Sequence, residues 1–209
     1  TGKDIAGLRM IVHLVRHGQT VWNRDRLFQG QSDVELTDLG KTQSRLVAEE
    51  VLGFGPESVY TSPLSRTRYI ADFIGEGIDK DIIEVPGLLE LNLGLLEGKT
   101  GEDLRKNWPE IIENWREHPS KVEMPSGESF LQLHQRASHA LNSLVESETK
   151  DVIVLVSHNF VIKVLLCGIL GLSVDALHKI HVDLASISTI QIDNTDSSLV
   201  SLNSTSHLN

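Results

Sequence analysis

The sequence contains a single cysteine, Cys167, among 209 residues, and no apolar run of the roughly 18 residues that a membrane-spanning helix requires. One cysteine excludes an internal disulfide framework and a thiolate-rich metal cluster. Basic residues are also in deficit, with 19 Lys and Arg against 29 Asp and Glu, which gives a net charge of −10. This excess of negative charge disfavours nucleic acids and anionic membranes as partners.

The chain also lacks repeats, low-complexity blocks and any linker rich in Pro, Gly and Ser. With 40% hydrophobic and 23% charged residues, it is predicted to form one domain, residues 1–209, around its own core. Residues 1–7 have neither the charge nor the apolar stretch of a signal peptide, so a cytoplasmic location is expected. Because the sequence opens at Thr1 and not at Met, an organelle is the alternative if an upstream targeting segment has been removed.

Short apolar segments alternate with amphipathic ones along the chain. Strands are predicted at 9–15, 58–61, 81–85, 151–156, 186–192 and 198–202. Helices are predicted from 36–40 to 52, at 63–74, at 102–117 with an interruption at Pro109, at 129–145 and at 159–170. This order predicts an α/β fold, a three-layer α/β/α sandwich with a mostly parallel central sheet, and a small helical cap at about 94–125.

Charged and titratable side chains follow four of the predicted strands. Arg16 and His17 end the first strand, and Arg66 comes shortly after the second. Glu90 follows the third strand, and His158 follows the apolar strand at 151–156. A lone His or Arg after a strand is usually an ordinary polar loop residue. In parallel sheets, however, sites form at the carboxyl ends of the strands, so we expect these five side chains to converge.

Two arginines, two histidines and one glutamate form a complete set for phosphoryl transfer without a metal. Guanidinium forks match the oxygens of a phosphate. One neutral imidazole can attack phosphorus and carry the phosphoryl group, and a second can stabilise charge on the equatorial oxygens. A carboxylic acid can protonate the departing alkoxide and later deprotonate the attacking water. The five residues therefore predict a phosphoryl-transfer site.

The segment LVRHGQTVWN, at 14–23, resembles the signature of the histidine phosphatase (phosphoglycerate mutase-like) superfamily. Further matches follow in the family's order over about 9–207: FQG at 28–30, SPLSRT at 62–67, Glu90 with Gly94, and VSH at 156–158. The resemblance implies that His17 is the nucleophile and Glu90 the proton donor. It likewise implies that Arg16, Arg66 and His158 form the phosphate cradle.

The resemblance implies further contacts near the substrate. Asn23 would hydrogen-bond the phosphate, and Gln29 and Gly30 match positions that approach the substrate. His207 lies in a C-terminal segment that resembles tails folding back toward the site in relatives, which makes it a candidate substrate contact.

The chain departs from the family pattern at three positions. Asn159 stands where relatives usually carry glycine after the second histidine, and its side chain is expected to narrow the pocket. Leu93 stands where several phosphoserine-cleaving relatives carry histidine, which speaks against phosphoserine as the preferred substrate. Ser126 replaces the first glycine of a common Gly-Gly-Glu-Ser, a change expected to be neutral.

The reaction predicted from these features is hydrolysis. Mutases of this family usually carry a longer insertion between the Glu and the second His, and a shorter cap leaves a phosphohistidine open to water. We expect a metal-independent, histidine acid phosphatase-like phosphomonoesterase that acts on a small phosphorylated metabolite through a phosphohistidine on His17. The alternatives are mutase-type transfer between hydroxyls and a catalytically weak phosphate-binding regulator.

The organic half of the substrate and the oligomeric state stay open. Six apolar side chains are candidates for a wall against the organic half, or simply for the packing of the cap: Leu93, Leu95, Leu96, Trp108, Trp115 and Met124. No cofactor or metal is expected, since no pair of the nine histidines has helical i, i+4 spacing beside an acidic neighbour. A strand at about 187–192 is a candidate edge for a homodimer.

Overall fold

The computed structural model of the chain describes residues 9–193 and 196–209, so residues 1–7, considered above for a signal peptide, lie outside the described part. The strands are β1 (Arg9–Arg16), β2 (Ser58–Thr61), β3 (Ile83–Glu84), β4 (Val152–Ser157), β5 (Ile187–Asp193) and β6 (Ser197–Ser204). The α-helices are α1 (Val21–Arg24), α2 (Asp38–Leu52), α3 (Ser65–Ile78), α4 (Gly101–Asn107), α5 (Pro109–Glu117), α6 (Phe130–Ser147) and α7 (Asn159–Ile169). Among these helices none has the length and apolar character needed to cross a membrane.

The six strands form one sheet in the order β3-β2-β4-β1-β5-β6. β3, β2, β4 and β1 pair in parallel, whereas β5 runs antiparallel to both β1 and β6. The predicted, mostly parallel sheet is thereby confirmed. Its parallel half places the carboxyl ends of β1, β2 and β4 at one edge, where the candidate side chains follow.

Helices cover both faces of the sheet. α2 and α3 pack on the face that carries Val15 and Val154, and α6 and α7 pack on the face that carries Leu14 and Leu155. Neighbouring residues of β1 and β4 thus point into different clusters, and because both clusters are apolar, these strands read as continuous hydrophobic runs. The predicted three-layer sandwich is confirmed.

Several boundaries differ from the predicted ones. α3 begins at Ser65 and not at Pro63, and it continues to Ile78, where Asp79 ends it in the left-handed conformation (φ 53°). α1 was not predicted, because its four residues are too few for a periodic pattern. The strand predicted at 81–85 shortens to the two residues of β3. β5 is paired on both sides, so the predicted dimer edge at 187–192 is wrong, and the described sheet ends in β3 and β6.

The segment 94–125 contains α4 and α5 and packs as part of the main core. Leu96, Trp115 and Met124 belong to the same apolar cluster as the inner faces of α6 and α7. Leu95 is 56% exposed. Ser126 adopts φ 60°, a left-handed conformation that favours glycine. The change from glycine to serine at this position therefore strains the backbone, and the expectation that it is neutral is wrong.

Candidate active site

The five side chains predicted to converge lie together at the carboxyl edge of the parallel strands. His17 follows β1 directly, and His158 lies between β4 and α7. Arg66 is the second residue of α3, just after β2. Glu90 comes after β3 and a short 3-10 turn, Pro86–Leu88. The rings of His17 and His158 lie edge to face, with their centroids 5.2 Å apart.

The His17 imidazole is neutral and presents a free nitrogen. Its Nδ1 lies 2.7 Å from the carbonyl oxygen of Gly18, which can only accept, so Nδ1 carries the proton and Nε2 keeps its lone pair. Burial holds the pKa of His17 well below its ordinary value of 6.5, and the cations of Arg66 and Arg16 lower it further. An unprotonated Nε2 is what nucleophilic attack requires.

The His158 imidazole is also neutral and carries its proton on the other nitrogen. Arg66 donates from Nε to His158 Nδ1 at 3.3 Å, so Nε2 bears the proton and donates to Ser62 Oγ at 2.8 Å. Burial, followed by the charge of Arg66, holds the pKa of His158 well below its ordinary value. The site therefore combines two uncharged histidines with two cations.

The two arginines are fixed by backbone carbonyls. Arg66 donates to Gly30 O (2.7 Å) and Ser32 O (2.8 Å), and the oxygen of the Gln29 amide accepts from its Nη1 at 2.9 Å. Arg16 donates from Nη1 to Val182 O. Within the described chain its buried Nε has no partner, so this donor is free for an anion. Burial lowers the pKa of both arginines to about 10, which leaves them charged at neutral pH.

The surroundings of the Glu90 carboxyl act on its pKa in both directions, and burial is the largest influence. The side chain is 4% exposed, and burial raises its pKa above the ordinary 4.5. Backbone N–H groups of Leu91 (2.8 Å) and Phe160 (3.3 Å) and the charges of Arg66 and Arg16 act in the opposite direction. A raised pKa suits a group that must give up a proton near neutral pH.

A cavity of about 280 Å³ opens beside His17, Arg16 and Glu90. Its lining consists of Arg16, His17, Asn23, Arg26, Leu27, Phe28, Gln29, Glu90, Asn159 and Phe160. Arg66 and His158 lie behind the lining, with exposures of 1% and 0%. A second cavity shares Arg16 and Asn23 with the first and extends toward Asp183.

Of the predicted substrate contacts, the structure places Arg16, Asn23, Gln29 and Asn159 at the cavity, whereas Arg66, Gly30, Leu93 and His207 do not line it. Leu93 is 1% exposed and packs in the core. Gly30 holds Arg66 through its carbonyl and does not line the cavity, and an added Cβ would clash with the Glu97 carboxylate. His207 donates from Nε2 to Ala185 O at 2.9 Å and lines neither cavity. The expected contact through Leu93 is corrected, because its side chain is buried in the core, and Gly30 and His207 do not line the cavity.

The predicted apolar wall is also absent from the cavity. Of the six apolar residues of the cap region, none lines it, and Phe28 and Phe160 take that place. Phe28 directly precedes the Gln29-Gly30 pair, and Phe160 directly follows Asn159. Their closeness in sequence to these candidate residues is the signal that could have indicated them as lining residues. Across residues 9–193 and 196–209, no group of three or more His, Cys, Asp or Glu side chains is arranged to hold a metal ion.

Fold and site together define an α/β protein in which two buried histidines and two arginines meet at the carboxyl edge of a parallel sheet. The sequence model of the histidine phosphatase superfamily (branch 1) matches residues 12–205. The chain belongs to this superfamily.

The relatives include proteins named as phosphatases and one named as a probable mutase. Phosphoserine phosphatase 1 of Hydrogenobacter thermophilus is 31% identical over 195 residues, which cover 93% of this chain and 92% of that protein. "Probable phosphoglycerate mutase GpmB" of Yersinia enterocolitica is 38% identical over 183 residues, covering 86% and 83%. The structure of a mycobacterial glucosyl-3-phosphoglycerate phosphatase superposes with a TM-score of 0.85 at 26% identity and covers 94% of this chain and 100% of that one.

Proposed function

We propose that this protein is a phosphomonoesterase that hydrolyses a small phosphorylated metabolite through a phosphohistidine on His17, without a metal ion. The observation that carries the proposal is the free Nε2 of a neutral His17 beside two buried guanidinium groups and a second neutral imidazole. The phosphatases among its relatives support the same reaction class.

In the first step, His17 Nε2 attacks phosphorus and the bond from phosphorus to the ester oxygen breaks. Arg16 and Arg66 balance the charge on the phosphoryl oxygens, and Asn23 on the cavity wall donates a further hydrogen bond. Protonated Glu90 gives its proton to the departing oxygen, so an alcohol leaves and a carboxylate remains. The product is a phosphohistidine with phosphorus bonded to Nε2.

In the second step, the Glu90 carboxylate takes a proton from a water molecule, whose oxygen attacks phosphorus. The bond to Nε2 breaks, inorganic phosphate forms, and His17 and protonated Glu90 are regenerated. One alcohol and one phosphate are thus produced for each ester and water consumed. Water would reach this centre through the cavity that His17 and Glu90 line.

Transfer to a second hydroxyl is the alternative, since a protein named as a probable phosphoglycerate mutase is among the relatives. Incubation with 3-phosphoglycerate separates the two reactions, because a phosphatase releases inorganic phosphate and a mutase forms the 2-phospho isomer. Isomer formation without phosphate release would replace hydrolysis by mutase chemistry.

The test of the proposed reaction is turnover of 4-nitrophenyl phosphate with and without a metal chelator, together with the His17→Ala variant. We expect wild-type turnover to survive the chelator and the variant to be inactive. Loss of wild-type activity in chelator would contradict the metal-free mechanism. A folded wild-type protein that binds phosphate without turnover would instead be a phosphate-binding regulator.

A further inference from the structure

An arginine of α6 binds three backbone carbonyls of the segment that carries Glu90. Arg136 donates from Nη1 to Gly87 O (2.9 Å) and Leu89 O (2.7 Å), and from Nη2 to Glu90 O (3.1 Å). These carbonyls lie outside the pairing of β3 with β2, so they need donors from elsewhere. Arg136 thus holds the backbone up to Glu90, together with the Ser157 hydroxyl, which donates to Leu88 O (2.8 Å), and the Gln31 amide, which donates to Glu90 O (3.0 Å).

Glu128 completes this arrangement on the other side of Glu90. It accepts from Arg136 Nε at 3.2 Å and from Nη2 at 2.5 Å, so each of the five N–H donors of the guanidinium has an acceptor. The Glu128 carboxylate also accepts from the N–H of Asn92 (2.9 Å), and the N–H of Glu128 donates to Asn92 O (3.0 Å). The pair thus binds the chain before and after Glu90.

We propose that Arg136 and Glu128 are positioning residues that hold the Glu90 carboxyl in place to protonate the leaving group. Their side chains are 24% and 16% exposed, and neither lines the cavity, so they act through Glu90. A general acid works only within hydrogen-bond reach of the atom it protonates, and small displacements cost much of its effect. The inference rests on the proposed function, in which Glu90 is the proton donor.

A purely structural role for the ion pair has a different consequence. General loosening of the fold would slow all substrates alike. Displacement of Glu90 alone slows esters whose alcohol leaves poorly, because an activated aryl oxide departs without a proton. A comparison of esters with good and poor leaving groups therefore distinguishes a structural role of the ion pair from positioning of Glu90.

The experiment compares kcat/KM for benzyl phosphate and 4-nitrophenyl phosphate, two aromatic esters of similar size with poor and good leaving groups. The Arg136→Gln/Glu128→Gln double variant removes both charges, so no unpaired buried charge remains. We expect a loss of about 30-fold for benzyl phosphate and at most about 3-fold for 4-nitrophenyl phosphate. Arg136→Lys keeps the charge but has only three donors, and we expect a smaller loss, about 10-fold, with the same selectivity.

A matched control is the Arg68→Gln/Glu84→Gln double variant, which removes an ion pair (3.2 Å) between α3 and β3 that does not touch residues 87–92. We expect it to behave as wild type with both esters. Adding Glu90→Gln to the Arg136→Gln/Glu128→Gln variant should lower kcat/KM for benzyl phosphate only slightly further, because the ion pair and Glu90 serve the same proton transfer.

Equal losses for the two esters in both Arg136 variants, or a full additional loss from Glu90→Gln, would overturn the positioning role. If the double variant does not fold, Arg136→Lys carries the test alone. The Glu90→Gln variant of the otherwise unchanged protein tells failure of the positioning role apart from failure of the proposed function. A selective loss there keeps Glu90 as the proton donor, and an unselective loss overturns the donor and this inference together.

Discussion

Replacing Glu97 with glutamine should weaken the anion site without changing any residue that lines the cavity. The Glu97 carboxylate accepts from the backbone N–H groups of Gln31 and Ser32, both at 2.8 Å, and from the Ser32 hydroxyl. The same loop supplies the carbonyls of Gly30 and Ser32 that hold Arg66. Glu97 therefore fixes the loop, and the loop fixes the guanidinium.

The size of the effect follows from the hydrogen bonds lost. A glutamine offers one oxygen where the carboxylate offers two, and its NH2 group faces a backbone N–H that then has no acceptor. Leaving one such group unsatisfied costs about 2 kcal/mol of unfolding free energy. For a domain of this size that corresponds to a fall in Tm of roughly 4–8 °C. A looser Arg66 should raise the inhibition constant of inorganic phosphate by roughly tenfold, equivalent to about 1.4 kcal/mol of binding free energy.

The assay is thermal unfolding together with inhibition by phosphate, each measured against Glu102→Gln. Glu102 lies exposed in the first turn of α4, so this control makes the same charge change five positions away. A Glu97→Gln protein whose Tm lies within about 1 °C of the control, with unchanged phosphate inhibition, would refute the link from Glu97 through the loop to Arg66.

The rate should depend on pH in a bell shape. On the acid side, activity falls as pH drops through the lowered pKa of His17, because the attacking imidazole must be neutral. On the alkaline side, activity falls as pH rises through the raised pKa of Glu90, because the proton donor must be protonated. Glu90→Gln should remove the alkaline limb, and a flat wild-type profile from about pH 4 to about pH 9 would contradict both assignments. Arg26, at the cavity with no ion pair among the described residues, should attract a second anionic group of a substrate. Arg26→Gln is expected to raise KM roughly fivefold, but only for esters that carry a second anionic group. The control Arg24→Gln removes a cation paired with Asp25 and should leave KM unchanged. Equal KM values for the two variants would reject a role for Arg26.

The parallel half of the fold could be predicted from the sequence because its signals are local. Thr37 and Ser129 cap α2 and α6 near the helix starts predicted at 36–40 and 129, and Pro109, predicted to interrupt a helix, opens α5. The convergence of the side chains after β1, β2 and β4 follows from parallel pairing alone. No further information was needed to bring His17 and His158 together.

The errors concern side chains whose direction depends on distant packing. Leu93 lies three residues from Glu90, yet its side chain packs into the core. His207 bonds Ala185, a contact between segments 22 positions apart that no motif encodes. Arg136 bonds to carbonyls 46 and 49 positions away, so its role became visible only in the hydrogen bonds of the folded chain.

The most direct measurement is a rapid acid and alkaline quench of the wild-type enzyme with an ester carrying labelled phosphorus, followed by location of the label in the chain. We expect an acid-labile, base-stable label on the peptide that contains His17, formed as fast as the first alcohol is released and absent from His17→Ala. Rapid turnover with no labelled protein, or with the label on another residue, would contradict the central claim that His17 carries the phosphoryl group.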